Sequence, residues 1–196
     1  MKLFAIGAFA IASLAASSAL AQTQAQGPQN PGPVLPGVCS VSGEQVLLGS
    51  SAGQALQARM VQLAQEVQGE IAPYAQQVQT EYQALQQGAS TIPADQLNQR
   101  RQALQQRVQE AQQLEQTRDN ELRYTQSVQA KAIEDAARPI ILAVYQERGC
   151  GVLLRGESIA YINPAMDITA AVVQRLNTAL PTVSFNRMPV PAQPQS

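Results

Sequence analysis

Apolar side chains recur at Leu56, Met60, Leu63, Val67, Ile71, Tyr74, Val78, Tyr82 and Leu85, in steps of three and four. That spacing marks one face of a helix. Its eleven-residue repeat predicts a seam running nearly straight, not a tight left-handed zipper. Pro73 falls inside it, so a bend is expected near Ala72. A second stripe runs through Leu97, Leu104, Val108, Ala111 and Leu114, weakens at Glu115 and Arg118, and resumes at Leu122, Val128, Ala132, Ile133 and Ala136. Between the stripes, Gly88 can close one helix and Pro93 can open the next. The pattern predicts a helical region over 51–147, folded as antiparallel helices at about 51–87 and 93–138, with its tip near 88–94.

The outer faces are filled with Gln, including Gln99, Gln102, Gln105, Gln106, Gln109, Gln112, Gln113 and Gln116. A hairpin with one narrow apolar seam cannot bury a full core, so it should project into solvent as an arm. The flanks differ. Val38-Cys39-Ser40-Val41 precedes it, and Gly151-Val152-Leu153-Leu154 and Ser158-Ile159-Ala160-Tyr161-Ile162 follow; all are short runs suited to strands. Arg155-Gly156-Glu157 is the expected tight hairpin connection between the last two, and Asp167 is a candidate N-cap for a helix ending at Leu180. Strands from both ends of the arm must meet at its base. Three short strands and one helix make too small a body, with open edges, and oligomerisation is the usual remedy. The fold class expected is therefore α+β: a long antiparallel helical hairpin on a small β body, residues 38–50 and 148–180, shared between several subunits. Val41, Val152, Leu154, Ile159, Tyr161 and Ile162 are its expected body or subunit-interface positions.

Composition supports a thin molecule. Hydrophobic residues make up 45% of the 196, but aromatics only 4%, so the apolar mass is aliphatic and suits long helices better than a thick core. The absence of His removes the commonest general acid-base group and metal ligand. With two Cys there is no basis for a Cys-x-x-Cys zinc pair, and Lys131, the one Lys beyond Lys2, lacks a phosphate-cradling Gly-rich loop. Glu110, Glu115, Asp119, Glu121, Glu134 and Asp135 lie near Arg107, Arg118, Arg123 and Arg138 at helical spacing, and are expected to form exposed ion pairs, not a catalytic dyad. No catalytic, cofactor or metal site is expected, and the chain is not expected to be an enzyme.

The ends give an address. Met1-Lys2, the apolar run 3–14 and the small residues up to Ala21 have the form of a cleavable signal peptide, residues 1–21. The alternative, an uncleaved anchor, is disfavoured by the Ser-rich end and the small residues at positions −3 and −1. Without Lys2 the formal charge is −2, which offers no basic face for nucleic acid. Residues 22–37, rich in Gln, Pro and Gly, are expected to be a flexible leader. Residues 181–196 carry Pro181, Pro189, Pro191 and Pro194 and are expected to be an extended or disordered tail.

Residues 38–180 resemble the Skp (OmpH-like) family of periplasmic chaperones, which carry nascent outer membrane proteins. The resemblance rests on the segment from Val46 to Leu56 that opens the first helix, on the Gln- and Arg-rich hairpin, and on the run Gly151-Val152-Leu153-Leu154, Ile159-Ala160-Tyr161-Ile162, Asp167-Ile168-Thr169, Val172-Val173, Leu176-Asn177. The last run is the most specific. It implies a homotrimer with a joint β-barrel body and three arms around a cavity, located in the periplasm, with unfolded outer membrane proteins as clients. One departure is charge: Arg100 and Arg101 lie near the tip, but the arm is acidic overall, so no lipopolysaccharide site is carried over.

In an oxidising compartment Cys39 and Cys150, next to the first and second strands, are expected to pair, with two buried free thiols as the alternative. The function expected is an ATP-independent holdase for unfolded outer membrane β-barrel proteins. The alternative is a coiled-coil scaffold or adaptor of the cell envelope that binds one folded partner.

Overall fold

A computed structural model describes residues 32–192, so the signal peptide expected over 1–21 lies outside the described residues. The chain starts with strand β1 (Val38–Val41) and turns at Ser42, whose hydroxyl accepts from the Gln45 amide and so caps helix α1 (Gly43–Gly49). Ser50, fully buried and extended, ends α1 and caps helix α2 (Ser51–Gly88) by accepting from the Gly53 amide. Helix α3 (Ala94–Glu147) returns to the base, and strand β2 (Val152–Arg155) and helix α4 (Thr169–Ala179) follow. At about 1.5 Å per residue the 38 residues of α2 reach some 57 Å from the base. The architecture is the expected long helical hairpin on a small sheet.

The turn out of α3 is fixed by backbone chemistry. Gly149 sits at φ +64°, its amide donates to the Gln146 carbonyl, and the Cys150 amide donates to Tyr145. This pair of bonds satisfies the last carbonyls of the helix and requires a left-handed residue where Gly stands. It brings Gly151 beside Gly37, whose carbonyl accepts from the Gly151 amide at 2.6 Å and the Val152 amide at 2.9 Å. Cys39 and Cys150 are joined by a disulfide, with Cα atoms 5.8 Å apart. Both strands therefore start from one point, and they pair in parallel, Val38 opposite Val152 and Val41 opposite Arg155.

Among the described residues the sheet has two strands, not three, and the expected hairpin at Arg155-Gly156-Glu157 does not form. Gly156 begins a 3-10 turn packed so closely on Ser42 that a Cβ there would lie 3.1 Å from the Ser42 side chain. The adjoining Glu157 carboxylate caps the start of α1, which steers the chain away before 159–162 can pair. On the other side of β1 a single parallel bridge joins Ser40 to Asp167, and the Ile168 amide donates to the Ser40 carbonyl. The N-cap of the last helix is Ile168, not the expected Asp167; Asp167 stands one residue earlier, where its Oδ1 accepts from the Thr169 amide and hydroxyl.

The core lies where the arm meets the sheet. Val46 of α1, Ala52 and Leu56 of α2, Ile133, Ala137 and Val144 of α3, and Val172 and Leu176 of α4 close around the disulfide and Ile168. Helix α3 continues through Pro139 instead of ending at Arg138, as expected from sequence, because its last two turns bring Ile140, Ile141, Val144 and Tyr145 to this core. That burial offsets the roughly 3 kcal/mol that an interior Pro costs.

Of two segments expected to be flexible or disordered, the described parts, 32–37 and 181–192, are held, and the rest lies outside the described residues. In the leader, the Gly32 carbonyl accepts from Asn163 and the Leu35 amide reaches Met166 Sδ at 3.5 Å. In the tail, residues 181–192 run in extended form up the arm, with Val183 and Phe185 against the core. Tyr74 and Tyr82, expected on the seam, are exposed, because a seam between only two helices is too narrow to cover a ring.

The approach of α1 to α2 leaves no room at Gly53, where a Cβ would stand 1.7 Å from the Leu47 carbonyl oxygen, whereas at Gly69 nothing lies within 4 Å. In chemical denaturation Gly53→Ala should lower stability by about 3 kcal/mol, and Gly69→Ala should raise it by about 0.5–1 kcal/mol through helix propensity. Equal effects would contradict this packing.

Candidate functional site

Two surfaces could meet other chains: the middle of the arm and the open side of the base. On the arm, α2 and α3 bury Leu63, Val67 and Leu85 along one seam. At mid-height α3 instead turns Arg118, Glu121 and Thr125 towards α2 and the tail, which is why its apolar stripe weakens there. Arg187 from the tail enters this gap. Its Nη2 lies 2.9 Å from Glu70 of α2 and its Nε 3.0 Å from Glu121 of α3. Arg118 closes a ring, 2.7 Å from Glu70 and 2.9 Å from Glu121. Two cations alternate with two anions.

Most ion pairs at the surface contribute about 0–1 kcal/mol. Those of Glu121 are better shielded, since its side chain is 12% exposed and that of Arg187 19%. The hydrogen bond from Arg187, aided by the charge of Arg118, holds the Glu70 carboxyl below the usual carboxylate range against some desolvation. The tail backbone is gripped on either side of the ring. Arg59 Nε donates to the Phe185 carbonyl at 3.0 Å, and the Met188 amide donates to Thr125 Oγ1 at 2.8 Å. Thr125 is fully buried and gives its own proton to the Glu121 carbonyl, so its hydroxyl is satisfied twice.

The sequence placed Glu121 and Arg118 in simple exposed pairs along one helix, and Arg123–Asp119, Lys131–Asp135 and Arg138–Asp135 are of that kind. It missed Arg59, Glu70, Thr125, Phe185, Arg187 and Met188. The available signal was the polar gap in an otherwise apolar stripe.

At the base, β2 has no partner on its outer side among the described residues. Val152 is 50% exposed, Leu154 39% and Tyr161 74%, while Val41, Ile159 and Ile162 are half-buried. Leu142, 54% exposed, borders a groove of about 630 Å³ with Arg138, Pro139, Ile141, Tyr145 and Leu153. The six apolar positions expected in the body or interface are thus not buried together within one chain. Arg175 of α4 pairs in bidentate fashion with Glu147 at the end of α3, bracing the base.

Beside the sheet, Glu157 Oε1 accepts from the Glu44 amide at 3.0 Å and the Ser42 hydroxyl at 2.9 Å. Led by the Glu44 amide, these bonds, with backbone N–H groups of Glu157 and Gly43, hold its carboxyl at about 2. Among the described residues no group of three or more His, Cys, Asp or Glu could hold a metal ion, and no helix is long and apolar enough to cross a membrane.

A two-helix arm rising from a small parallel sheet, with β1, β2 and α4 gathered at the base, defines a class of helical-arm proteins. The sequence pattern of the family described as Outer membrane protein (OmpH-like) matches residues 37–176, so the chain belongs to the OmpH-like family. A solved structure from Caulobacter crescentus CB15, described as a candidate outer membrane chaperone (OmpH-like), is 34% identical with a TM-score of 0.75. That likeness covers 81% of this chain and 94% of the other. Among curated proteins none matches.

Because the folded-state carboxyl of Glu157 lies below its ordinary value near 4.5, its contribution is complete above pH 4.5 and is lost as pH falls through about 2. Melting temperature measured against pH should therefore show Glu157→Gln less stable than the parent at pH 7, with the two converging as the pH approaches 2. A constant difference across that window would contradict the cap.

Proposed function

We propose that this protein is an ATP-independent holdase of the periplasm, which binds unfolded outer membrane β-barrel proteins in a cavity between helical arms and keeps them from aggregating. The reading is carried by one observation: a long polar arm stands on a base whose sheet edge and apolar side chains, Val152, Leu154, Leu142 and Tyr161, are left uncovered. Membership of the OmpH-like family, and the name of the Caulobacter structure, support a chaperone over a scaffold.

A homotrimer answers the uncovered base. An exposed edge strand is a template for another chain, and identical copies related by a closed rotation can supply it. Val41, Val152, Leu154, Ile159, Tyr161 and Ile162 are the positions through which the subunits would pool their sheets. Three arms on one body would then enclose a space.

Clients of this kind expose alternating apolar strands that pair with one another in water. The arm surface offers Gln, Ala and short aliphatic groups with few bulky anchors, so each contact is weak. Many weak contacts from three arms give avidity without imposing a structure on the client. Release then needs no nucleotide; a client leaves when a bilayer offers its apolar faces a deeper energy well.

Light scattering should give a mass about three times that of the mature chain, and a urea-unfolded barrel protein diluted into buffer should stay soluble in its presence. Leu154→Arg, placed on the open edge, should reduce the mass and weaken the protection together. A monomer that leaves aggregation unchanged would overturn the holdase in favour of an envelope adaptor.

A further inference from the structure

The tail is docked through its backbone as well as through its side chains. Val183, Phe185 and Arg187 turn towards the arm, while Thr182 and Ser184 face solvent; Asn186 is exposed, but its Oδ1 accepts from Arg59 Nη2 at 3.5 Å. This is the period-two alternation of an extended strand. The arm holds the backbone itself at two points, through Arg59 to the Phe185 carbonyl and through Thr125 to the Met188 amide. Every non-proline residue carries a carbonyl and an amide. The side-chain contacts are Val183 and the Phe185 ring at the foot of the groove, one cation in a ring of carboxylates, and polar contacts from Arg59 to Asn186 and from Gln129 to Met188. Further up, Pro189 and Val190 border a shallow recess with Thr117, Asn120, Glu121 and Tyr124.

We infer that this mid-arm groove is a binding site for extended polypeptide with alternating apolar side chains, and that residues 183–190 are its tethered resident, displaced by a client strand. The inference rests on the holdase reading only for the identity of the displacing strand. Membrane β-strands alternate apolar and polar residues in runs of about ten, so an unfolded one can present two apolar side chains at the spacing of Val183 and Phe185. Tethering raises the effective concentration of the tail at the groove, which excludes weak competitors and admits a client that binds several arms at once. The groove also explains why α3 carries Arg118, Glu121 and Thr125 where a plain two-helix arm would carry Leu or Ala.

The test uses a fluorescent peptide with the sequence of residues 181–192, followed by anisotropy against three forms of the protein. These are the full chain, a chain truncated after Leu180, and the full-length variant Phe185→Ala/Arg187→Ala, which loosens the tail without shortening the chain. The peptide should bind the truncated and double-variant forms at least ten-fold more tightly than the parent, and an unlabelled ten-residue peptide of alternating Val and Thr should displace it. A peptide of the same composition with its Val residues consecutive should displace it less well. If truncation unfolds the arm, the double variant decides alone. Equal binding to all forms, or bound peptide that no alternating strand displaces, overturns the proposal. Displacement in a protein that fails to suppress aggregation would instead overturn the holdase reading and leave the groove standing.

Discussion

A two-helix arm has only one seam, and much of the structure follows from that constraint. Side chains on a seam have one facing helix to cover them, so the arm can bury a stripe of Leu, Val and Ile but neither large rings nor a thick core. The rest of its surface must be polar, and Gln and Arg supply it. At mid-height, where α3 turns Arg118, Glu121 and Thr125 inward, two helices are not enough, and the tail becomes a third element. At the base the same shortage is met by gathering α1, α2, α3, α4 and β1 around the disulfide. The 111-residue separation of its cysteines makes that bond the largest covalent constraint in the molecule. Closing a loop of about 100 residues stabilises a fold by roughly 4–5 kcal/mol in the chain-entropy model.

The base and the arm serve different ends. In the base, specific devices fix one arrangement: the positive-φ Gly149, the contact of Gly156 with Ser42, the Glu157 cap and the bidentate Arg175–Glu147 pair. The arm carries few such devices above the ionic ring, and Pro73 lies just beyond Glu70, where the tail's grip ends. A stiff foot with a less constrained upper arm suits the proposed holding of chains that differ in length and sequence.

Much of the fold was legible in the sequence because a helical seam has a long period. Nine apolar positions from Leu56 to Leu85 repeat often enough to specify a helix, and Gly88 and Pro93 mark its turn. The sheet was less legible. Runs such as 158–162 have the composition of strands, but whether they pair is decided by contacts across the chain, here Gly156 on Ser42 and Glu157 on the start of α1. The tail was least legible. Four Pro residues and scattered polar groups suggest disorder, and an alternation spanning only Val183, Phe185 and Arg187 is too short to register without the groove that receives it. The polar gap in α3 was visible, but its partner lay some 60 residues further along the chain.

The central claim is that the arm is completed by an extended segment held through its backbone. Amide hydrogen exchange on the intact protein tests it most directly. The account predicts that the Met188 amide, donated to the buried Thr125 hydroxyl, exchanges far more slowly than in a free peptide, together with the neighbouring turns of α3. Exchange of residues 183–190 at free-peptide rates, beside a protected mid-arm, would contradict it.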